Sequence, residues 1–272
     1  AEAMLSEWPQ RAPSVRAALR RLLEVGLLRQ TQADEVGPTI HPLMAEYARL
    51  KDADGDEGAL GVMADALAIL SYPANEKGLR QAFERWRVHI ERLAHVAEKM
   101  GNEDAGALWN NLGYHRKMVA DYGGARAAYE RALKIGEELL GKDHPKVAIR
   151  VNNLGEVLRV TGDHAGAQRA FERALAIFSE VLGENHPNVA TLHNNLGLVL
   201  KDLGDLEGAK SAYERALGID EVVFGRDHPK IATRLNNLGR VYWKLGELGQ
   251  AKAHFERALG IFQQFLPPEH QY

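Results

Sequence analysis

An all-α solenoid of paired helices is the fold class that this sequence predicts, on three observations. The string Asn-Asn-Leu-Gly begins at Asn110, Asn152, Asn194 and Asn236, a period of 42 residues with no insertion. An aromatic residue followed by Glu-Arg-Ala-Leu keeps the same period at Tyr129, Phe171, Tyr213 and Phe255. Small residues recur in register at Gly113, Gly155, Gly197 and Gly239 and at Ala125, Ala167, Ala209 and Ala251, where they let paired helices approach closely. A unit of this length cannot bury its own apolar face, so neighbouring copies must stack to build a core.

Each copy holds two helices. Ala125, Tyr129, Ala132, Leu133 and Leu140 recur at helical spacing and line one stripe. The other helix runs from just after His144-Pro145 to Val160, with Val151, Leu154, Gly155 and Leu158 on its buried side. In their Leu-Gly, Ala, aromatic and Ala positions these residues resemble the tetratricopeptide repeat across residues 105–272, in copies 105–146, 147–188, 189–230 and 231–272. The resemblance is to the 42-residue form seen in kinesin light chains and in many bacterial signalling proteins, and it implies a right-handed superhelix. In the last copy Pro267-Pro268 replaces the Gly-x pair, and Ile261, Phe262 and Phe265 leave an apolar helix face for further repeats or a partner to cover.

Composition narrows the function. With 34 basic and 37 acidic residues among 272, and a pI near 6.5, there is no basic excess of the kind that sequence-independent nucleic-acid binding needs. The absence of cysteine removes disulfides, thiolate catalysis and Cys-type zinc sites. No apolar run approaches a membrane span and AEAMLSEWPQ is not a signal peptide, so a soluble, cytoplasmic protein is expected. The start at Ala1 reads as the interior of a domain, and the chain as an excised fragment.

Residues 14–25 read as an amphipathic helix with Ser14 as N-cap and Gly26 as its stop. LLRQTQADEVGPTI then reads as two short strands around a polar turn, and His41-Pro42 starts another helix. Helix, strand, wing, strand, helix describes a winged helix with a small β-hairpin over residues 1–50. Its phrasing, from Ala18-Leu19-Arg20-Arg21-Leu22-Leu23 to Ile40-His41-Pro42-Leu43-Met44, resembles the winged helix of NB-ARC (STAND-class) signalling ATPases. That resemblance implies that His41 faces the phosphates of bound ADP in an intact protein, with ADP or ATP and Mg as cofactors of an upstream nucleotide-binding module. Ile40 and Pro42 stand where the family motif has Met and Asp, and the alternative is that His41 merely starts a helix. Residues 51–58, KDADGDEG, imitate a calcium loop but have Glu57 in the obligatory Gly place, so they read as a linker. Helices over 59–71 and 76–100 complete a helical adapter or cap, 51–104, before the repeats.

No catalytic constellation emerges, and the chain reads as a non-enzyme. The near match to a phosphate loop, Gly136 through Gly141-Lys142, lacks the hydroxyl and is lost in the next copy, where Phe178 replaces the first Gly. His144, His186, His228 and His270 recur once per copy, and three precede Pro, which reads as a repeated helix-start turn rather than a metal set. Glu130-Arg131 and its three copies read as inter-helix salt bridges.

The tetratricopeptide resemblance places the first helix of each copy along a concave groove. Its candidate contacts are Asn110, Asn111, Tyr114 and Lys117; Asn152, Asn153, Glu156 and Arg159; Asn194, Asn195, Leu198 and Lys201; and Asn236, Asn237, Arg240 and Trp243. Asn side chains both donate and accept, so a ladder of them can pair with the backbone of an extended peptide. One Asn of each pair is expected to be structural and the other groove-facing. The mixture of Lys117, Arg159, Lys201 and Arg240 with Glu156 favours a mildly acidic peptide or protein surface as partner.

Three functions follow. The first is the sensor region of a STAND-class ATPase, binding a protein or peptide trigger in the groove and relaying it to the winged helix and the nucleotide-binding module, with oligomerisation on activation. The second is a protein-interaction scaffold without nucleotide coupling. The third is a winged-helix DNA-binding regulator with Arg16, Arg20 and Arg21 near the DNA backbone, against which stands the lack of a base-reading set.

Overall fold

The structure is a computed structural model that describes residues 80–102 and 104–265, and every regular element among them is a helix. In chain order these are α1 (Arg80–Lys99), α2 (Asp104–Met118), α3 (Tyr122–Leu140), α4 (Pro145–Val160), α5 (His164–Leu182), α6 (Pro187–Leu203), α7 (Leu206–Phe224), α8 (Pro229–Lys244) and α9 (Leu248–Phe265). The chain divides into two compact units, Ala1–Leu139 and Leu140–Tyr272. The winged helix expected over 1–50, with its hairpin and His41, lies outside the described residues, as do the linker, the helix expected over 59–71, and His270.

In the second unit, α4, α6 and α8 are the first helices of copies 2–4, and α5, α7 and α9 are the second. Each first helix starts at His-Pro. Proline suits the first helical position because its missing N–H would have no partner there. The preceding imidazole supplies the cap: Nδ1 of His144, His186 and His228 accepts from the backbone N–H of Lys146, Asn188 and Lys230 at 3.1–3.2 Å. An accepting Nδ1 places the ring proton on Nε2. His144, His186 and His228 are therefore N-caps. The second helices of copies 2 and 3 are capped by Asp163 and Asp205, which accept from the N–H of Gly166 and Gly208.

Helices of a pair meet where glycine faces an aromatic ring. Gly155 lies against Phe171, Gly197 against Tyr213 and Gly239 against Phe255; a Cβ at these positions would sit 2.7–2.8 Å from ring carbons. Phe171 and Tyr213 are fully buried, and Ala167, Ala209, Ala174 and Ala216 close the core around them. The repeated arginine makes the expected inter-helix salt bridge in copy 4, where Arg257 of α9 meets Glu221 of α7, and has a further role in all three copies. Arg173 and Arg257 donate to the backbone carbonyls of Lys142 and Arg226, and Arg215 pairs with Glu184, so in each copy this arginine ties the second helix to the turn that starts the first.

The first unit uses the same joint, with Gly113 against the buried Tyr129. Here α1 takes the place of a second helix. Trp109 of α2 donates from Nε1 to Glu98 at 3.1 Å, His95 meets its ring edge-on at 4.8 Å, and the Arg131 guanidinium lies 4.7 Å over it. Arg116 bridges from α2 to Glu91 at 2.7 Å, so α1 is bound by both apolar and ionic contacts.

Two departures from the repeat have measurable consequences. Between copies 3 and 4, Arg234 Nε donates to Asp220 at 2.8 Å, with the two side chains 11% and 1% exposed. The corresponding residues one copy earlier are the buried Phe178 and Leu192. Asp220→Ala strands the guanidinium and is expected to cost about 3–5 kcal/mol, whereas the double variant Asp220→Phe with Arg234→Leu is expected to keep wild-type stability or exceed it; urea denaturation compares them. The turn between paired helices needs a left-handed residue, supplied by Gly162, Gly204 and Gly246 at φ 89°, 88° and 80°, but by Ala120 at φ 63° in copy 1. Ala120→Gly is therefore expected to stabilise the first unit by about 1 kcal/mol, read as a raised thermal midpoint.

Candidate ligand-binding face

The first helices of copies 2–4 carry the Asn pairs on one continuous face. Asn195 Nδ2 donates to Asn152 Oδ1 and Asn237 Nδ2 donates to Asn194 Oδ1, both at 2.9 Å. Within a pair, Asn152 reaches Asn153 at 3.4 Å and Asn194 reaches Asn195 at 3.5 Å. The expected division into one structural and one outward Asn describes copy 4, where Asn237 bonds across and Asn236 is exposed, but not copy 3. Both members of the copy-3 pair are 8% exposed and both are bonded across to a neighbouring copy. Amides bond to one another because each carries a donor and an acceptor, and adjacent helices hold them at the right separation. In copy 1, Asn111 is buried and Asn110 half-buried. Asn236 is exposed.

The residues that differ between copies have another fate. Arg159 Nη1 pairs with Asp202 at 3.0 Å, joining α4 to α6, and Lys201 Nζ stands 3.9 Å from the other oxygen of the same carboxylate. Arg240 and Lys244 of α8 lie close enough to act on the Lys201 ammonium, yet neither has an ion pair among the described residues. Burial lowers the Lys201 pKa from its ordinary value; Asp202 opposes this, and Arg240, Arg159 and Lys244 add to it. Arg159 and Lys201 thus share one carboxylate, and Arg240 and Lys244 lie near the Lys201 ammonium. The sequence reading missed Asp202 and Lys244, which occupy the position of Val160 in copy 2 and so have no repeated signature.

Beneath this cluster sits the hydroxyl of Tyr213. It is fully buried, has no hydrogen-bond partner among the described residues, and feels the charges of Asp202, Arg240 and Arg159. Burial, with Asp202 adding to it, raises the pKa of the phenol and keeps it protonated. Trp243, one copy on from Lys201, is 62% exposed. Leu198, by contrast, packs against the apolar cluster of Tyr213, Leu238, Val241 and Tyr242. Glu156 is half-buried. In the first unit Tyr114 and Lys117 face each other, the ammonium 5.0 Å from the ring centroid.

The amide ladder makes a direct expectation. Asn195→Ala removes the donor to Asn152 and the acceptor of Asn194, and should cost about 1–3 kcal/mol in chemical denaturation, while Asn236→Ala at an exposed site should stay within about 0.5 kcal/mol.

Known proteins share this architecture. BtubC (BKLC) from P. vanneervenii superposes with a TM-score of 0.68 at 23% identity, over 93% of this chain and 91% of that one. A protein of nearly identical TPR-like repeats, described as a Podosopora anserina kinesin light chain, gives a TM-score of 0.61 at 18% identity, over 74% of this chain and 95% of that one. MamA RS-1, an ArsTM double mutant, gives 0.51 at 17% identity, over 73% and 96%. At such identities the likeness is one of fold. No curated protein matches the chain. The profile of the tetratricopeptide repeat matches residues 104–159, 148–221 and 189–264, together more than half of the sequence, and on that match the chain belongs to the tetratricopeptide repeat family.

Proposed function

We propose that the chain is a protein-interaction scaffold that holds an extended segment of a partner protein against α4, α6 and α8. One observation carries the reading. The side chains that repeat are mostly committed to holding the helices together, as glycine–aromatic joints, asparagine ladder and arginine ties, whereas Arg159, Lys201 and Trp243 at one shared position of the first helices differ from copy to copy. Arg159, Lys201, Arg240, Trp243 and Lys244 form an asymmetric set that a symmetric framework does not need. A framework that repeats and a surface that does not are the marks of a chain that reads one partner in one register. Trp243 supplies the large rigid apolar contact that anchors interfaces, and the cations supply orientation.

The finer sensor reading, in which the array reports a trigger to a STAND-class nucleotide module with ADP at His41, draws on residues 1–50. The scaffold reading requires nothing from them and no chemistry of its own.

Peptide display tests it. Peptides selected on the whole chain are expected to lose at least about tenfold in affinity for a Trp243→Ala, Arg240→Glu variant, and to keep it for Lys134→Glu and Lys252→Glu, which change exposed second-helix positions. Selected peptides that bind all of these variants equally place binding on another surface and end the proposal.

A further inference from the structure

We propose that the buried pair of Asp220 and Arg234 is a register lock, which admits α8 onto α7 as the chain folds and rejects the other stackings open to it. The lock is independent of what the chain binds. The need for it arises from repetition. Helical arrays nucleate in any copy and grow by adding neighbours, and misassembly between like repeats is their characteristic fault.

The faces to be told apart are nearly alike. Leu175 and Ile177 of α5 answer to Leu217 and Ile219 of α7, and Val189 of α6 answers to Ile231 of α8. Leu217 packs against the buried cluster that holds Ile231, and Leu175 offers the same side chain one copy earlier. Apolar contact is non-directional, so these residues by themselves let α8 settle on α5 as well as on α7.

The charged pair ends that likeness. Arg234 Nε donates to Asp220 at 2.8 Å with the side chains 11% and 1% exposed, where α6 and α5 place the buried Leu192 and Phe178. With α8 on α5, the guanidinium is buried against Phe178. With α6 on α7, the Asp220 carboxylate is buried against Leu192. Either arrangement leaves a charge without its partner in an apolar interior, which costs far more than the native pair contributes. The pair therefore discriminates between stackings without strengthening the right one.

The other polar contacts of this boundary do not discriminate. Tyr242 donates to Glu214 at 2.8 Å, and α5 offers Glu172 at the same place. Lys210 meets Glu247 at 3.5 Å with the side chains 25% and 42% exposed, where water compensates for a wrong partner.

Refolding of the whole chain from urea tests the lock, with native monomer separated from other species by size-exclusion chromatography. Two variants make the comparison. Phe178→Asp with Leu192→Arg repeats the lock at the preceding boundary in the same sense, and Phe178→Arg with Leu192→Asp installs it in the opposite sense. Both bury one added ion pair, but only the same-sense chain gives α8 a carboxylate to meet on α5. That chain is expected to leave at least about threefold more protein outside the native peak than the opposite-sense chain. Hydrogen exchange is expected to find α6 and α7 poorly protected in the misfolded monomer, because copy 3 is the one passed over. Asp220→Phe with Arg234→Leu removes the distinction without adding charge, and is expected to raise the misfolded share over wild type by a similar factor. Equal yields of native monomer from the two charged chains overturn the lock. Should neither form any, the apolar chain decides, and its refolding as cleanly as the wild type overturns the lock.

Discussion

The structure depends on how closely two helices of a pair can approach. Glycine at position 113, 155, 197 or 239 leaves the space into which Tyr129, Phe171, Tyr213 or Phe255 is pressed. A single methyl group there would overlap the ring, an overpacking that costs about 1–3 kcal/mol in a close-packed interior. That joint sets the separation of first and second helices, and the separation decides everything stacked upon it. Each fully buried ring contributes about 2–3 kcal/mol of apolar burial, so the joint is both the spacer and the main local source of stability.

With pairs held at that distance, the polar framework falls into place. First helices of successive copies stand close enough for Asn195 to reach Asn152 and Asn237 to reach Asn194, and the amides join the copies along one edge. Arg173 and Arg257 reach backbone carbonyls, and Arg215 the Glu184 carboxylate, in the turns that begin the first helices. The histidine caps close those turns from within. Each device uses short-range hydrogen bonds, and none works unless the glycine–aromatic spacing is kept.

The face left over is where individuality resides. Repetition builds an interior that is the same in each copy, so the only freedom lies in side chains that no neighbour needs. The sharing of Asp202 by Arg159 and Lys201, with Arg240 and Lys244 near the Lys201 ammonium, uses that freedom, as does the exposed Trp243. The ion pair of Asp220 with Arg234 uses it differently, giving one copy boundary a private lock where the preceding boundary has Phe178 and Leu192.

Sequence by itself determined the helical repeat, its period and the family, because a strict spacing of glycine, alanine and aromatic residues permits one packing of two helices. It also marked the turns at His144, His186 and His228 as helix starts. Only tertiary structure decided the roles of the polar residues. Asn152 and Asn195 look identical in one dimension to peptide-binding amides, and whether they bond outward or to each other depends on the distance between the helices that carry them. The charge cluster was half legible for the same reason. Lys201 and Arg159 share a repeat position, but Asp202 and Lys244 matter through neighbours on other helices, and electrostatic energy depends on separation in space rather than along the chain.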